Sequence, residues 1–386
     1  MNNFTFYNPT SIHFGAGQIE KIKSEIPANA RVLVIYGGGS IKSNGVYGQV
    51  SSALSEHTWF EFSGIEPNPH YHTAIKALDV IKQHKIDYLL AVGGGSVIDA
   101  TKFIAAAALF EGDEKSKDPW DILTKQLKIK AALPFGSILT LPATGSESNS
   151  GSVMTRDDNK LFFGSPHTFP QFSVLDPEST LSLPERQISN GVIDAFVHTL
   201  EQYLTYPVNA KIQDRFAEGI LQTLIEEGPK ALTDKNNIDI RANIMWSATM
   251  ALNGLIGVGV PQDWATHMIG HELTALYGVD HARTLSIVFP AVMKIKREQK
   301  RDKLIQYGTR VWDLSGTKNE ITNQAIDKTI EFFKTMQVPT SLSDVDLGAS
   351  DIDAILSKLK QHQMIALGEH RDIDLTVSRE ILEKAI

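Results

Sequence analysis

The sequence predicts an α/β N-terminal domain with a parallel, Rossmann-like sheet, followed by an all-helical C-terminal domain. Three observations carry this reading. Short β-branched runs alternate with helical periodicity up to about residue 182, apolar residues then recur at three- and four-residue spacing, and Pro177 and Pro184 punctuate the change. The domains are accordingly read as 1–182 and 183–386. With 386 residues the chain is long enough for two cores, since a single core stops growing near about 250–300 residues.

In chain order, "RVLVIY" (31–36), "TWFEF" (58–62), "DYLLAV" (87–92), "SILTLP" (137–142) and "FSVLD" (172–176) read as strands separated by helices. That alternation describes βαβ units and a sheet covered on both faces. Beyond the boundary, "PERQISNGVIDAFVHTLEQYL", "NAKIQDRFAEGILQTLIEEGPKAL" and "IRANIMWSATMALNGL" carry the period of amphipathic helices.

Composition excludes several classes. A formal charge of −8 without a basic patch argues against nucleic acid or an anionic membrane surface as partner. The N-terminus lacks the pattern of a signal peptide and no apolar run spans a bilayer, so the cytoplasm is the expected location. With no cysteine, any metal must sit on nitrogen and oxygen.

Three turns at predicted strand ends point to a nucleotide. "DYLLAVGGGSVIDATKF" runs from strand through Gly93, Gly94, Gly95 and Ser96 into a helix, where close backbone approach and free N–H groups favour a diphosphate. Gly37, Gly38, Gly39 and Ser40 follow the first predicted strand, with Lys42 nearby and no acid to hold a ribose 2′-hydroxyl, which favours NADP over NAD. "TLPATGSESN" (140–149) ends another strand with small hydroxyl residues. A lone GGGS is weak evidence, but ligands of open α/β sheets bind along one strand-end edge, where all three would lie.

The helical half holds a cluster of ligand-type groups. Asp194 and His198 are four apart, as are His267 and His271, so each pair shares a helix face; His281 follows a helix end capped by Gly278. A single histidine is more often a hydrogen-bonded core residue. Together with a carboxylate in the apolar run "GVIDAFV", these imidazoles form a set that suits a divalent ion, Zn²⁺ or Fe²⁺. One aspartate and three neutral imidazoles leave room for a further ligand, as a Lewis acid requires. The remaining histidines, His362 among them, lie in polar or turn-like stretches and are read as surface. Serine hydrolysis is disfavoured because there is no GxSxG elbow.

"GGGSVIDATKF", "EPNP", "LPATGSES", "GVIDAFVHTLEQYLT" and "HMIGHELTALYGVDHA" resemble the iron-containing, or group III, alcohol dehydrogenases, over essentially the whole chain and most closely their NADPH-dependent butanol dehydrogenase and aldehyde reductase branch. The resemblance implies reduction of small aldehydes to primary alcohols by a homodimer. It implies Asp194, His198, His267 and His281 as metal ligands, with His271 a nearby non-ligand that assists proton transfer. It places Asn68, Gly94 to Ser96, Asp99, Thr140, Thr144, Asn149 and Lys160 along NADP(H), with Gly38 and Ser40 near the 2′-phosphate. The rival readings are a lyase of the dehydroquinate synthase kind, which needs a denser cationic grip than these apolar and acidic segments offer, and a catalytically silent nucleotide-binding module.

Overall fold

Six parallel strands form one sheet: β1 Ser11–Phe14, β2 Arg31–Tyr36, β3 Thr58–Phe62, β4 Tyr88–Gly94, β5 Phe135–Leu141 and β8 Phe172–Leu175, in the order β1-β8-β5-β4-β2-β3. The intervening β6 Gly151–Arg156 and β7 Asn159–Gly164 make a separate antiparallel hairpin. This computed structural model describes residues 1–112 and 115–386.

The five expected strands all form. The central strands β2 and β4 are continuous apolar runs because helices cover both faces of a parallel sheet. Edge strand β1 went unread in the sequence. Its four residues "SIHF" carry little pattern, and its partner β8 lies about 160 residues downstream. The hairpin also went unread, since its Asp157-Asp158 turn lacks the usual glycine, although Asp157 takes the positive φ of 55° that such turns need.

Strand order decides what the three predicted turns can do together. Strands β5, β4 and β2 are adjacent, so the segments that leave their C-terminal ends, 140–149, 93–96 and 37–40, line up along one edge. The sheet is tightly packed beneath them. Gly136 of β5 is one example: a Cβ there would stand 2.3 Å from the ring of Phe172 on β8. Gly136→Ala should therefore destabilise the protein by about 1–3 kcal/mol through overpacking, read as a lower urea midpoint at unchanged slope.

The helices of eight residues or more are α1 Val46–Ala53, α2 Ala77–His84, α3 Gly95–Ala108, α4 Glu185–Tyr203, α5 Lys211–Thr233, α6 Ile238–Leu252, α7 Ala265–Tyr277, α8 His281–Ile295, α9 Arg301–Arg310, α10 Lys318–Thr335, α11 Ile352–Gln361 and α12 Leu375–Lys384. The chain divides into two units, residues 7–183, which hold the sheet and hairpin, and residues 184–386, which are helical and which Met1–Phe6 joins. A backbone hydrogen bond of 2.9 Å from Asn2 N–H to Gly259 C=O attaches the N-terminal residues there. In the helical unit α7 and α8 pack through Ala265, Ile269, Leu273, Ile287, Val288 and Val292, a core shared with α11 and α12. Among the described residues no helix is long and apolar enough to cross a membrane.

Candidate metal centre and nucleotide cradle

Helix α4 carries Asp194 and His198 one turn apart, α7 carries His267 and His271, and α8 opens on His281. Gly278 ends α7 in the left-handed conformation, φ 69°, with its N–H on Thr274 C=O, and so turns the chain toward His281. Asp280, just before α8, accepts from Arg186 Nε (2.8 Å) and Asn190 Nδ2 (2.9 Å) of α4. These bonds hold the start of α8, and with it His281, against α4.

Asp194 Oδ1 lies 3.6 Å from His281 Nε2, 3.7 Å from His198 Nδ1 and 4.0 Å from His267 Nε2. These separations exceed the ~2.7–3.2 Å of a hydrogen bond. They approach the ~3.4 Å between neighbouring ligands of a tetrahedral ion bound at ~2.1 Å. Donor atoms of Asp194, His267 and His281 all lie within 4.8 Å of one another. His198 stands beside this trio rather than inside it: its ring stacks on that of His267 at 4.6 Å, and its buried Nδ1 has no hydrogen-bond partner. Burial holds the His198 imidazole neutral, pushed down to about 4 with Asp194 opposing the shift. A neutral ring with an open lone pair is the form that binds a metal. The buried Asp194, His198 and His267 together with the half-buried His281 thus fit a divalent ion. His271 is also buried, its ring 5.2 Å from that of His281 and 6.4 Å from that of His267, near the trio but offset from it.

Sequence reasoning missed the groups behind this set. Glu201, fully buried on α4 seven residues after Asp194, contacts His267 Nδ1 through Oε2 and accepts from Thr266 N–H at 2.7 Å through Oε1. Its spacing on the Asp194–His198 face was the available signal. Burial, then the Asp263 carboxylate, push the Glu201 carboxyl well above its usual range. Beside it the buried Lys300 Nζ reaches Asp263 Oδ2 (2.8 Å), both oxygens of Glu369 (2.7 and 2.9 Å) and Leu204 C=O (2.8 Å). Burial opposes the charge on Lys300, but the two carboxylates outweigh it and raise its pKa. His362 corrects the surface reading given above: its side chain is only 8% exposed and its Nδ1 pairs at 2.7 Å with the buried Glu272 of α7. The polar segment around His362 gave no sign of that long-range partner.

The sheet-bearing unit assembles the second set. Helix α3 begins at Gly95 without a side-chain cap, which leaves its first N–H groups open to an anion. A Cβ on Gly95 would stand 2.3 Å from Thr144 Oγ1, so glycine there lets the 140–149 segment close over the helix start. Asn68, in the left-handed region at φ 53°, accepts from Lys160 Nζ at 2.9 Å, which joins "EPNP" to β7 across 92 positions. Thr140 is half-buried near the end of β5, and Ser96 half-buried in the first turn of α3. Asp99 points inward: it accepts from Ser146 Oγ (2.5 Å) and Val153 N–H (2.9 Å). Burial raises its pKa against the pull of Lys102.

Lys102 was also missed. Fully buried on α3, it donates to Ser146 Oγ (2.8 Å), Asn149 Oδ1 (3.0 Å) and Gly151 C=O (2.7 Å), pinning the 144–151 loop from below. Burial pushes its pKa down to about 8 against the pull of Asp99 and Glu147. After β2, Gly37 and Gly39 are half-buried and Gly38 and Ser40 exposed; a Cβ on Gly38 would meet nothing within 4 Å. Lys42 is drawn aside, its Nζ 3.3 Å from Glu61 Oε2, a carboxylate that also accepts from the hydroxyls of Tyr36 and Tyr47, both at 2.5 Å. An uncapped helix start, glycine turns and an exposed Gly38–Ser40 turn without an acid fit the phosphates of NADP.

Comparison with known proteins agrees with this chemistry. Residues 9–177 match the model described as iron-containing alcohol dehydrogenase, and residues 188–386 match that of the Fe-containing alcohol dehydrogenase family, C-terminal. The chain is 57% identical to the NADPH-dependent aldehyde reductase YqhD of Escherichia coli (strain K12), with 100% of both chains covered. It is 41% identical to the NADP-dependent alcohol dehydrogenase 3 of Entamoeba histolytica, over 99% of this chain and 98% of that one. The crystal structure of the Escherichia coli K-12 protein superposes with a TM-score of 0.97 at 56% identity, covering 100% and 99%. The NADH-dependent butanol dehydrogenase A of Thermotoga maritima gives 0.95 at 36% identity, over 100% of this chain and 99% of that one. With both halves matched and full-length relatives well above 30% identity, the chain belongs to the iron-containing alcohol dehydrogenase family.

Proposed function

We propose that this protein reduces small aldehydes to primary alcohols with NADPH, in a reaction that depends on one divalent metal, Zn²⁺ or Fe²⁺. The observation that carries the reading is the placement of Asp194 Oδ1 at 3.6–4.0 Å from three imidazole nitrogens, in a chain 57% identical to an NADPH-dependent aldehyde reductase. A bound ion supplies Lewis acidity toward the carbonyl oxygen, and NADPH supplies the hydride.

The protein's own residues do the rest. Asp194, His198, His267 and His281 hold the ion with a net charge of +1 and a position left for substrate. His271 holds the proton that completes the alcohol, an imidazole being able to serve as a general acid. The Trp264 ring, 5.3 Å from His267 and 6.1 Å from His198, adds an apolar surface suited to an uncharged aldehyde. The first domain, 1–182, binds the cofactor. Its Gly94, Gly95 and Ser96 take the diphosphate; Gly37 to Ser40 receive the 2′-phosphate; and Asn68, Thr140, Thr144, Asn149 and Lys160 line the remainder, with Asp99 beneath. The second domain, 183–386, holds the metal. Aldehyde, NADPH and one proton go to alcohol and NADP⁺.

The test is elemental analysis of purified protein joined to NADPH oxidation across an aldehyde panel. Metal-loaded protein is expected to consume NADPH with butanal and to lose that activity on chelation. Full activity after complete metal removal would overturn the reading. We further propose a cytoplasmic homodimer, for which light scattering should give twice the chain mass of 42.6 kDa.

A further inference from the structure

We propose that Glu201 is the positioning residue of the metal centre: its buried carboxylate accepts the Nδ1 proton of His267 and so keeps Nε2 deprotonated and aimed at Asp194 and His281. The inference rests on the metal reading above and extends it to a residue that does not touch the ion.

The geometry sets the proton's place. Glu201 Oε1 is occupied by Thr266 N–H at 2.7 Å, which leaves Oε2 for His267 Nδ1. An imidazole fixed at Nδ1 presents Nε2, and Nε2 is the atom that faces Asp194 Oδ1, 4.0 Å away. A cation at Nε2 excludes a proton from that nitrogen, so the ring's one proton lies on Nδ1, toward the carboxylate. Carboxylate partners of this kind fix the tautomer and raise the basicity of ligating histidines.

The surroundings hold Glu201 in place. Asp263 N–H donates to Glu201 C=O at 2.9 Å, and Asp263 Oδ1 accepts from Ala265 N–H at 2.9 Å, so the chain entering α7 is anchored to α4 just before His267. Lys300 neutralises Asp263 at 2.8 Å and thereby limits the repulsion that Asp263 would exert on Glu201. Counted together with Glu201 as a carboxylate, Glu201, Asp263, Glu369 and Lys300 carry two net negative charges, which face the net positive charge of a divalent ion on Asp194.

Glu201→Gln separates positioning from bulk. Glutamine is nearly isosteric but has one acceptor oxygen. If Thr266 N–H keeps that oxygen, the amide NH₂ faces Nδ1 and forces the ring proton onto Nε2, where it blocks the ligand position. If the amide turns over, two donors meet in a buried site. Competition against a chromophoric chelator should show Zn²⁺ and Co²⁺ bound about 10- to 100-fold more weakly than by the unaltered protein, with altered Co²⁺ absorption bands and unchanged NADPH binding. A residue that only supported the fold would lower the thermal midpoint and leave these metal dissociation constants alone. Affinities within about threefold of the unaltered protein would overturn the proposal while the metal reading stands. Failure of the unaltered protein to bind either metal would instead overturn the metal reading.

The unaltered protein provides a second measurement, independent of how the variant folds. In the Zn²⁺-loaded protein with ¹⁵N-labelled histidine, His267 should show a metal-bound Nε2 and a strongly hydrogen-bonded Nδ1–H. A proton on Nε2, or metal on Nδ1, would overturn the assignment.

Discussion

His267→Ala is expected to release the metal and to lower aldehyde reduction by about a thousandfold or more, the loss of several kcal/mol of carbonyl polarisation. His267 is central to the site: it stacks on His198 at 4.6 Å, sits 5.2 Å ring to ring from His281 and is held from behind by Glu201. Alanine removes one proposed ligand and also leaves the carboxylate of Glu201 facing a cavity. The residues proposed to bind the nucleotide belong to another unit of the chain, residues 7–183, so NADPH should still bind. Elemental analysis, fluorescence titration with NADPH and turnover of butanal check the three parts separately. Activity within tenfold of the unaltered protein at zero metal content would defeat the model of catalysis.

Gly38→Asp should lower the preference for NADPH over NADH by about a hundredfold, or about 2.7 kcal/mol. Room for the side chain exists, because a Cβ at Gly38 meets nothing within 4 Å and the backbone there is not left-handed. The effect is therefore electrostatic: a carboxylate would repel the 2′-phosphate and offer an acceptor to a free ribose hydroxyl. Lys42 cannot relieve the repulsion cheaply, since Glu61 already binds it at 3.3 Å. The ratio of kcat/KM for the two cofactors is the readout, and an unchanged ratio would show that this turn does not read the 2′-phosphate. High salt should shrink the difference, because the site is exposed and its charges are screened.

The fold class and the ligand-type groups of the helical half were legible because both are local patterns. β-branched runs and apolar repeats at three- to four-residue spacing define strands and helices wherever they fall, and Asp194 with His198 share a helix face whatever the helix packs against. Strands β2, β3, β4, β5 and β8 followed from their β-branched runs. Edge strand β1 and the 151–164 hairpin did not, because their pairing depends on partners distant in sequence or on a turn without glycine.

Residue identities along the chain thus determined the elements, the absence of sulfur ligands, the glycine turns and the ligand types available to a metal. Tertiary structure decided which of them meet. The order β5-β4-β2 sets three turns side by side, Lys160 finds Asn68, and Glu201, Asp263, Lys300 and Glu369 close into a buried network behind His267. Charges buried in this way are stable only when paired, and pairing across 37 to 69 positions is set by how helices pack, which no local spacing encodes.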